Sequence, residues 1–218
     1  MKKIAVILSG CGNRDGSELQ ETLSVLLAID KMGMTYQCFA PQDDFKVVSY
    51  LDGQETGEVR GIFEESARIA RGNILSLETY MPEDYDALVL PGGMGAARNW
   101  SSYAFKAEKM TVIPLVENAV LETYKAKKPV CAMCIAPMVL AKVLGPYHVT
   151  ITLGDDSNTA SQVARMLGAK TQSCKPTEVC VDKENKVFTT PAYMVATRIS
   201  EIFAGAENMI KELTLYSE

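Results

Sequence analysis

The chain has 218 residues, 47% of them apolar and 22% charged, with 22 Lys plus Arg against 27 Asp plus Glu for a net charge of −5. That length suffices for one large domain that needs neither disulfides nor structural metals, and an acidic balance without runs of like charge excludes a basic nucleic-acid groove. The longest uncharged apolar stretch, between Lys128 and Lys142, is broken by Pro137 and is too short to span a bilayer.

Lys2 and Lys3 ahead of residues 4–8 and Ser9-Gly10-Cys11 imitate a lipoprotein export signal, but the apolar core is shorter than the roughly 7 to 15 residues export needs. Residues 4–8 are therefore predicted as the first strand. A cytoplasmic location follows, and there the six cysteines are expected as thiols. Ser17 with Gln20 forms a capping box that predicts a helix to about Lys31, stopped by Gly33. Thr35–Ala40 is the second strand. A polar excursion through Asp52-Gly53 reads as an insertion over the sheet, and Val59, Ile62, Phe63, Ser66, Ala67 and Ala70 then keep helical spacing.

Ala87–Leu90 is a predicted buried strand ending in Pro91-Gly92-Gly93. Val116, Ala119, Val120 and Tyr124 mark a helix closed by Lys125, Lys127, Lys128 and Pro129. Val130–Met133 is the next strand, and Pro137 suits a first helical turn, so a helix over 135–143 follows directly, with Cys134 at the junction. Strands at 149–153, 178–181 and 187–190, a helix at 159–167, and a final helix with Ile199, Ile202, Phe203, Ala206, Ile210 and Leu213 on one stripe complete the chain. This alternation predicts a flavodoxin-like, doubly wound, mostly parallel sheet with helices on both faces. Ligands in such sheets bind beyond the carboxyl ends of the strands, which selects loops 10–16, 92–99, 134–137 and 190–193.

Cys134, at a strand-to-helix turn, faces unpaired N–H groups and a positive helix end, so its thiol is expected to ionise readily and act as a nucleophile. Cys38, Cys131 and Cys180 read as small buried hydrophobes. The Cys131-Ala132-Met133-Cys134 spacing also matches a redox dithiol, but there the first cysteine opens the helix, whereas here the strand continues through Cys131. Neither Cys174 with Cys180 nor the single His148 completes a zinc site. Leu19, Leu23, Leu26 and Leu27 form one apolar stripe of the first helix, while Glu21 heads a second with Val25, Ala28 and Met32. Glu21 then has two readings: a buried proton carrier with a raised pKa, or a first-turn residue complementing the helix dipole. Gly92-Gly93 has two as well, an oxyanion hole or a tight turn. Gly10-Cys11-Gly12 with Gly16 resembles a dinucleotide loop, with the third glycine one position late. Nothing in the sequence brings His148 to the thiol.

Gly16-Ser17-Glu18-Leu19-Gln20-Glu21-Thr22, the run from Leu90 to Asn99 and Cys131-Ala132-Met133-Cys134-Ile135-Ala136-Pro137 resemble, in order and separation, the PfpI/ThiJ superfamily of class I glutamine amidotransferase-like folds. Leu8-Ser9-Gly10-Cys11-Gly12, Asp15-Gly16-Ser17-Glu18, Cys38-Phe39-Ala40-Pro41 and Thr189-Thr190-Pro191-Ala192-Tyr193-Met194 are similar to its ElbB-type branch, the isoprenoid biosynthesis glyoxalases, over essentially the whole chain. The resemblance implies Cys134 as nucleophile, Glu21 as proton carrier and the N–H groups of Gly93 and Ile135 as oxyanion donors. Cys11, Gly12, Gly92, Asn99 and Tyr193 are expected to line the pocket. The implied chemistry is glyoxalase action on methylglyoxal or glyoxal, a small-molecule aldehyde substrate, without cofactor, metal or glutathione, in a homodimer. Ile135 stands where protease-like members carry histidine, which argues against peptidase chemistry. The alternative is a non-enzymatic, redox-sensitive binding or regulatory protein using the same thiol. If the first strand lies beside the Cys134 strand, Cys11 shares the pocket and could resolve oxidised Cys134.

Overall fold

The structure, a computed structural model, describes residues 1–216. In chain order its elements are β1 (Lys3–Ile7), α1 (Leu19–Lys31), β2 (Thr35–Ala40), β3 (Asp44–Val48), β4 (Glu55–Gly61), α2 (Ile62–Ile69), β5 (Ile74–Ser76), β6 (Ala87–Leu90), α3 (Met94–Arg98), α4 (Tyr103–Lys106), α5 (Pro114–Lys125), β7 (Val130–Met133), α6 (Pro137–Leu144), β8 (Thr150–Ile151), α7 (Thr159–Met166), β9 (Lys170–Thr171), β10 (Cys180–Asp182), β11 (Val187–Thr190) and α8 (Ile199–Tyr216). β1, β6, β7 and β11 are continuous apolar or β-branched runs because both faces of their sheet are covered. They form the centre of a seven-stranded sheet ordered β10-β11-β7-β6-β1-β2-β5, parallel throughout except for β10. The chain winds from β1 outward to β5, then returns to β6 on the other side of β1. The switch point therefore lies between β1 and β6, with β7 next door. Among the described residues no helix is long and apolar enough to cross a membrane.

Several elements depart from expectation. Ser17 does not cap α1: its Oγ accepts the Ser9 N–H at 2.8 Å, and Glu18 caps instead. Of the leucine stripe expected to pack, Leu19, Leu23 and Leu27 are exposed, and the sheet-facing side is Glu21, Val25, Leu26, Ala28 and Ile29. The excursion around Asp52 is a β3–β4 hairpin, so Val59 lies on an exposed strand rather than on α2. Residues 149–153 contribute only β8, paired with β9 in a separate two-stranded sheet. The hairpin packs against the loop after β1: buried Asp15 accepts from Val48 N–H at 2.9 Å and from Tyr50 Oη–H at 3.0 Å.

Candidate active site

β7 carries Met133 to the carboxyl edge of the sheet, where the chain turns sharply at Cys134, whose φ is +60°. A left-handed conformation at a non-glycine residue costs roughly 1–3 kcal/mol and persists only where neighbours hold it. Here Cys134 N–H donates to Thr190 O at 3.0 Å and Ala136 N–H to Met133 O at 3.1 Å. α6 begins at Pro137, two residues later than expected, because Ile135 and Ala136 complete this turn. The turn brings the backbone N–H groups of Gly93 and Ile135 to the Cys134 sulfur.

The expected easy ionisation of that sulfur is corrected. Cys134 is only 9% exposed. Burial, followed by the Glu21 carboxyl beside it, pushes the thiol well above its ordinary value and outweighs the two N–H groups that favour a thiolate.

Glu21 is fully buried on the face of α1 that meets the sheet. Tyr193 N–H donates to its Oε1 at 3.3 Å. Its Oε2 makes no regular hydrogen bond among the described residues, while the carboxyl lies near enough to the Cys134 thiol and the Gly92 N–H to interact with both. Burial first and Glu18 second push the Glu21 pKa up to about 8, against the opposing pull of Cys134, Tyr193 and Gly92. At neutral pH the pair is therefore mostly thiol plus carboxylic acid, both uncharged, and Glu21 becomes a base for the thiol proton in the fraction of molecules where it has itself ionised. Of the two readings of Glu21, the geometry matches the buried proton carrier.

Gly92 and Gly93 fill the space between these groups. Gly93 has φ +103°, and a methyl there would strike Gly16 O and Glu18 N; one on Gly92 would lie closer than 3.0 Å to Glu21 Oε2, Cys134 Cβ and Met133 O. Met94 N–H to Asn13 O at 2.8 Å and Gly95 N–H to Gly16 O at 2.9 Å tie this turn to the loop after β1. Tyr193 joins the site from the β11–α8 connection, its hydroxyl donating to Gln20 Oε1.

The remaining expected pocket residues do other work. Asn99 spends its amide nitrogen on Ser9 O and Asp15 O, both at 2.8 Å, and so braces the loop. Gly12 is buried beneath the Tyr50 hydroxyl. Cys11 faces Glu65, Arg68, Asp15 and Tyr50 on the hairpin side. β6 separates β1 from β7, so the strand adjacency that would have brought Cys11 to Cys134 is absent and the structure gives no support to a resolving role. His148 is exposed, with Nδ1 at 3.2 Å from Gly168 O. Sequence reasoning missed the Asp15–Tyr50 latch. The run Asp15-Gly16-Ser17-Glu18 was visible, but nothing local pairs Asp15 with a hydroxyl on a later hairpin.

Residues 68–189 match the DJ-1/PfpI family. The chain is 36% identical over 219 residues to the human glutamine amidotransferase-like class 1 domain-containing protein 3, mitochondrial, covering 97% of this chain and 82% of that protein. The rat ES1 protein homolog, mitochondrial, is equally similar, at 36% identity over the same shares. The crystal structure of an isoprenoid biosynthesis protein with amidotransferase-like domain from Ehrlichia chaffeensis superposes with a TM-score of 0.93 at 36% identity, over 100% of both chains. Drosophila melanogaster DJ-1beta shares the fold, with a TM-score of 0.58 at 17% identity over 100% of this chain and 92% of that one. A buried thiol at a positive-φ elbow, a helix-borne carboxyl against it and these likenesses agree, and the chain belongs to the DJ-1/PfpI family.

Proposed function

We propose that the chain is a cofactor-independent glyoxalase that converts small α-oxoaldehydes such as methylglyoxal and glyoxal to hydroxy acids. The observation that carries this reading is the fully buried Glu21 carboxyl, its Oε2 unpartnered, set against Cys134. A general base must lie within reach of the proton it takes, with a pKa near the working pH, and Glu21 at about 8 meets both conditions. A nucleophile only 9% exposed suits a two- or three-carbon aldehyde better than a peptide chain. Ile135 offers no base for amide hydrolysis.

In the proposed reaction the Glu21 carboxylate takes the Cys134 thiol proton and the sulfur adds to the aldehyde carbon. Gly93 and Ile135 N–H groups stabilise the resulting alkoxide, which the Glu21 acid protonates to a hemithioacetal. Glu21 then removes the hydrogen on that carbon, and the electron pair passes through an enediol. Return of the proton at the neighbouring carbon gives a thioester, so one carbon is oxidised as the other is reduced. Water cleaves the thioester, releasing the hydroxy acid and the thiol. The alternative redox-sensing reading calls for an accessible thiol of low pKa, the opposite of the Cys134 environment.

The test is hydroxy-acid formation from methylglyoxal and glyoxal, without glutathione or added metal, by the wild type, Cys134→Ala and Glu21→Gln. Turnover by the wild type and its loss in both variants is expected; an inactive wild type, or variants that match it, refutes the proposal. A homodimer and a cytoplasmic location belong to the same proposal. The exposed leucines at 19, 23 and 27, spaced four apart on α1, support a surface that a second copy covers. Sedimentation is expected to show a dimer that Leu23→Glu converts to monomer, and a wild-type monomer would refute it. Fractionation of the source cells tests the location, since the human and rat relatives are named mitochondrial.

A further inference from the structure

One further charged group reaches the pocket. Glu18 Oε2 accepts the Glu21 N–H at 2.7 Å, and Glu18 N–H donates to Gly92 O at 2.9 Å. Its half-buried carboxylate is thereby tied to the helix that carries Glu21 and to the turn that faces Cys134. Short Ser, Thr, Asp and Asn side chains are the favoured caps. Ser17 stands one residue away but turns inward to Ser9, and a longer, charged side chain caps in its place.

Nearby cations are led elsewhere. Arg14 lies against Gly53 at the hairpin tip. Arg98 pairs with Glu55 at 2.8 Å and stacks on Phe105, and Lys31, at the far end of α1, pairs with Glu207 at 2.9 Å. The charged group acting on Glu21 is Glu18, those acting on Tyr193 are Glu18 and Glu21, and the one acting on Cys134 is Glu21. Glu21 Oε2 is itself buried and without a hydrogen-bond partner among the described residues. An incoming anion would meet one carboxylate at the mouth and a second wherever Glu21 has ionised to act as base.

We propose that Glu18 is the charge filter of this pocket, admitting uncharged aldehydes and repelling those that carry a carboxylate or a phosphate. The word aldehyde rests on the glyoxalase reading; the charge preference rests on the placement of Glu18, to which Glu21 adds where it has ionised. Like charges a few ångströms apart in a partly dry site repel more than they do in bulk water, and a discrimination of about tenfold is expected.

Iodoacetamide and iodoacetate are near-isosteric probes that differ by one negative charge. Their second-order rates with Cys134 would be measured at pH 8 by peptide mass spectrometry, which separates Cys134 from Cys11, and compared with 2-mercaptoethanol. The wild-type preference for the neutral reagent is expected to exceed that of the free thiol by about tenfold. Glu18→Gln, which keeps an oxygen to cap Glu21 N–H, is expected to lower the ratio several-fold toward the free-thiol value, the remainder belonging to the partly ionised Glu21. A wild-type ratio equal to that of the free thiol overturns the filter without reference to any variant, and so does an unchanged ratio in folded Glu18→Gln. Methylglyoxal turnover by the same wild-type preparation reports on the glyoxalase reading separately: its absence beside a charge-selective thiol removes the substrate name and leaves the filter standing.

Discussion

Glu21→Gln is expected to cut turnover by roughly 10²–10⁴-fold and to make the fold more stable from about pH 4.5 upward, with the full gain above about pH 8. In the unfolded chain Glu21 ionises near 4.5, whereas burial and Glu18 raise it to about 8 in the native state. Between those values the native state holds a proton that the unfolded state has released, so stability falls as pH rises. The loss begins near pH 4.5 and is complete above about pH 8, reaching up to about 5 kcal/mol at 1.36 kcal/mol per unit. Glutamine has almost the same shape and cannot ionise, so its advantage should be near zero at pH 4 and largest at pH 9. Urea unfolding midpoints of both proteins at the two pH values check this; parallel curves would show that Glu21 is not held protonated. Activity moves the other way. Wild-type turnover should rise as Glu21 loses its proton, through about pH 8, and the glutamine variant should lose roughly 10²–10⁴-fold, the usual worth of a positioned acid–base group.

Gly92→Ala is expected to cost about 1–3 kcal/mol or more and to remove activity as well. The new methyl would meet Glu21 Oε2, Cys134 Cβ and Met133 O, each closer than 3.0 Å. One of these neighbours is backbone of β7 and the other two belong to the proposed reacting pair, so relaxation must move the thiol, the carboxyl or the strand end. Gly92 is not among the glycines of positive φ, and its penalty is therefore steric rather than conformational. Gly57→Ala makes the contrast: its φ is +84° but nothing lies within 4 Å of the added carbon. That variant should lose a little stability from its backbone and keep its turnover. Thermal unfolding and methylglyoxal assays on both variants check the pair, and an active Gly92→Ala protein of wild-type stability would contradict the geometry.

Much of the architecture was legible because burial on both faces leaves a mark in single residues. β2, β6, β7 and β11 coincide with their predicted ranges, the last three because a doubly covered strand is a short apolar run closed by Pro, Gly or a polar turn. Helix ends were harder. Ser17 looks like the better cap for α1, yet Ser9 claims its hydroxyl from the start of the same β1–α1 loop. The choice between the two apolar stripes of α1 was also undecidable from spacing: a leucine row and a row headed by glutamate have the same period, and only the sheet determines which is buried. At the site, Cys134 and Gly92-Gly93 were marked by their positions after β7 and β6, whereas Asn99 and Gly12 sat in the right loops but point to neighbours that no local pattern reveals.

The sequence by itself determined the α/β alternation, the place of a cysteine at the end of a central strand and the glycines that let groups approach it, because each depends on local chemistry and period. Only the tertiary structure decided the protonation state of that cysteine. A helix N-terminus taken alone favours a thiolate, but burial and the carboxyl of Glu21, delivered by a helix more than a hundred residues earlier, reverse the sign. Desolvation and charge repulsion are sums over what surrounds a group in space, and no reading along the chain contains them.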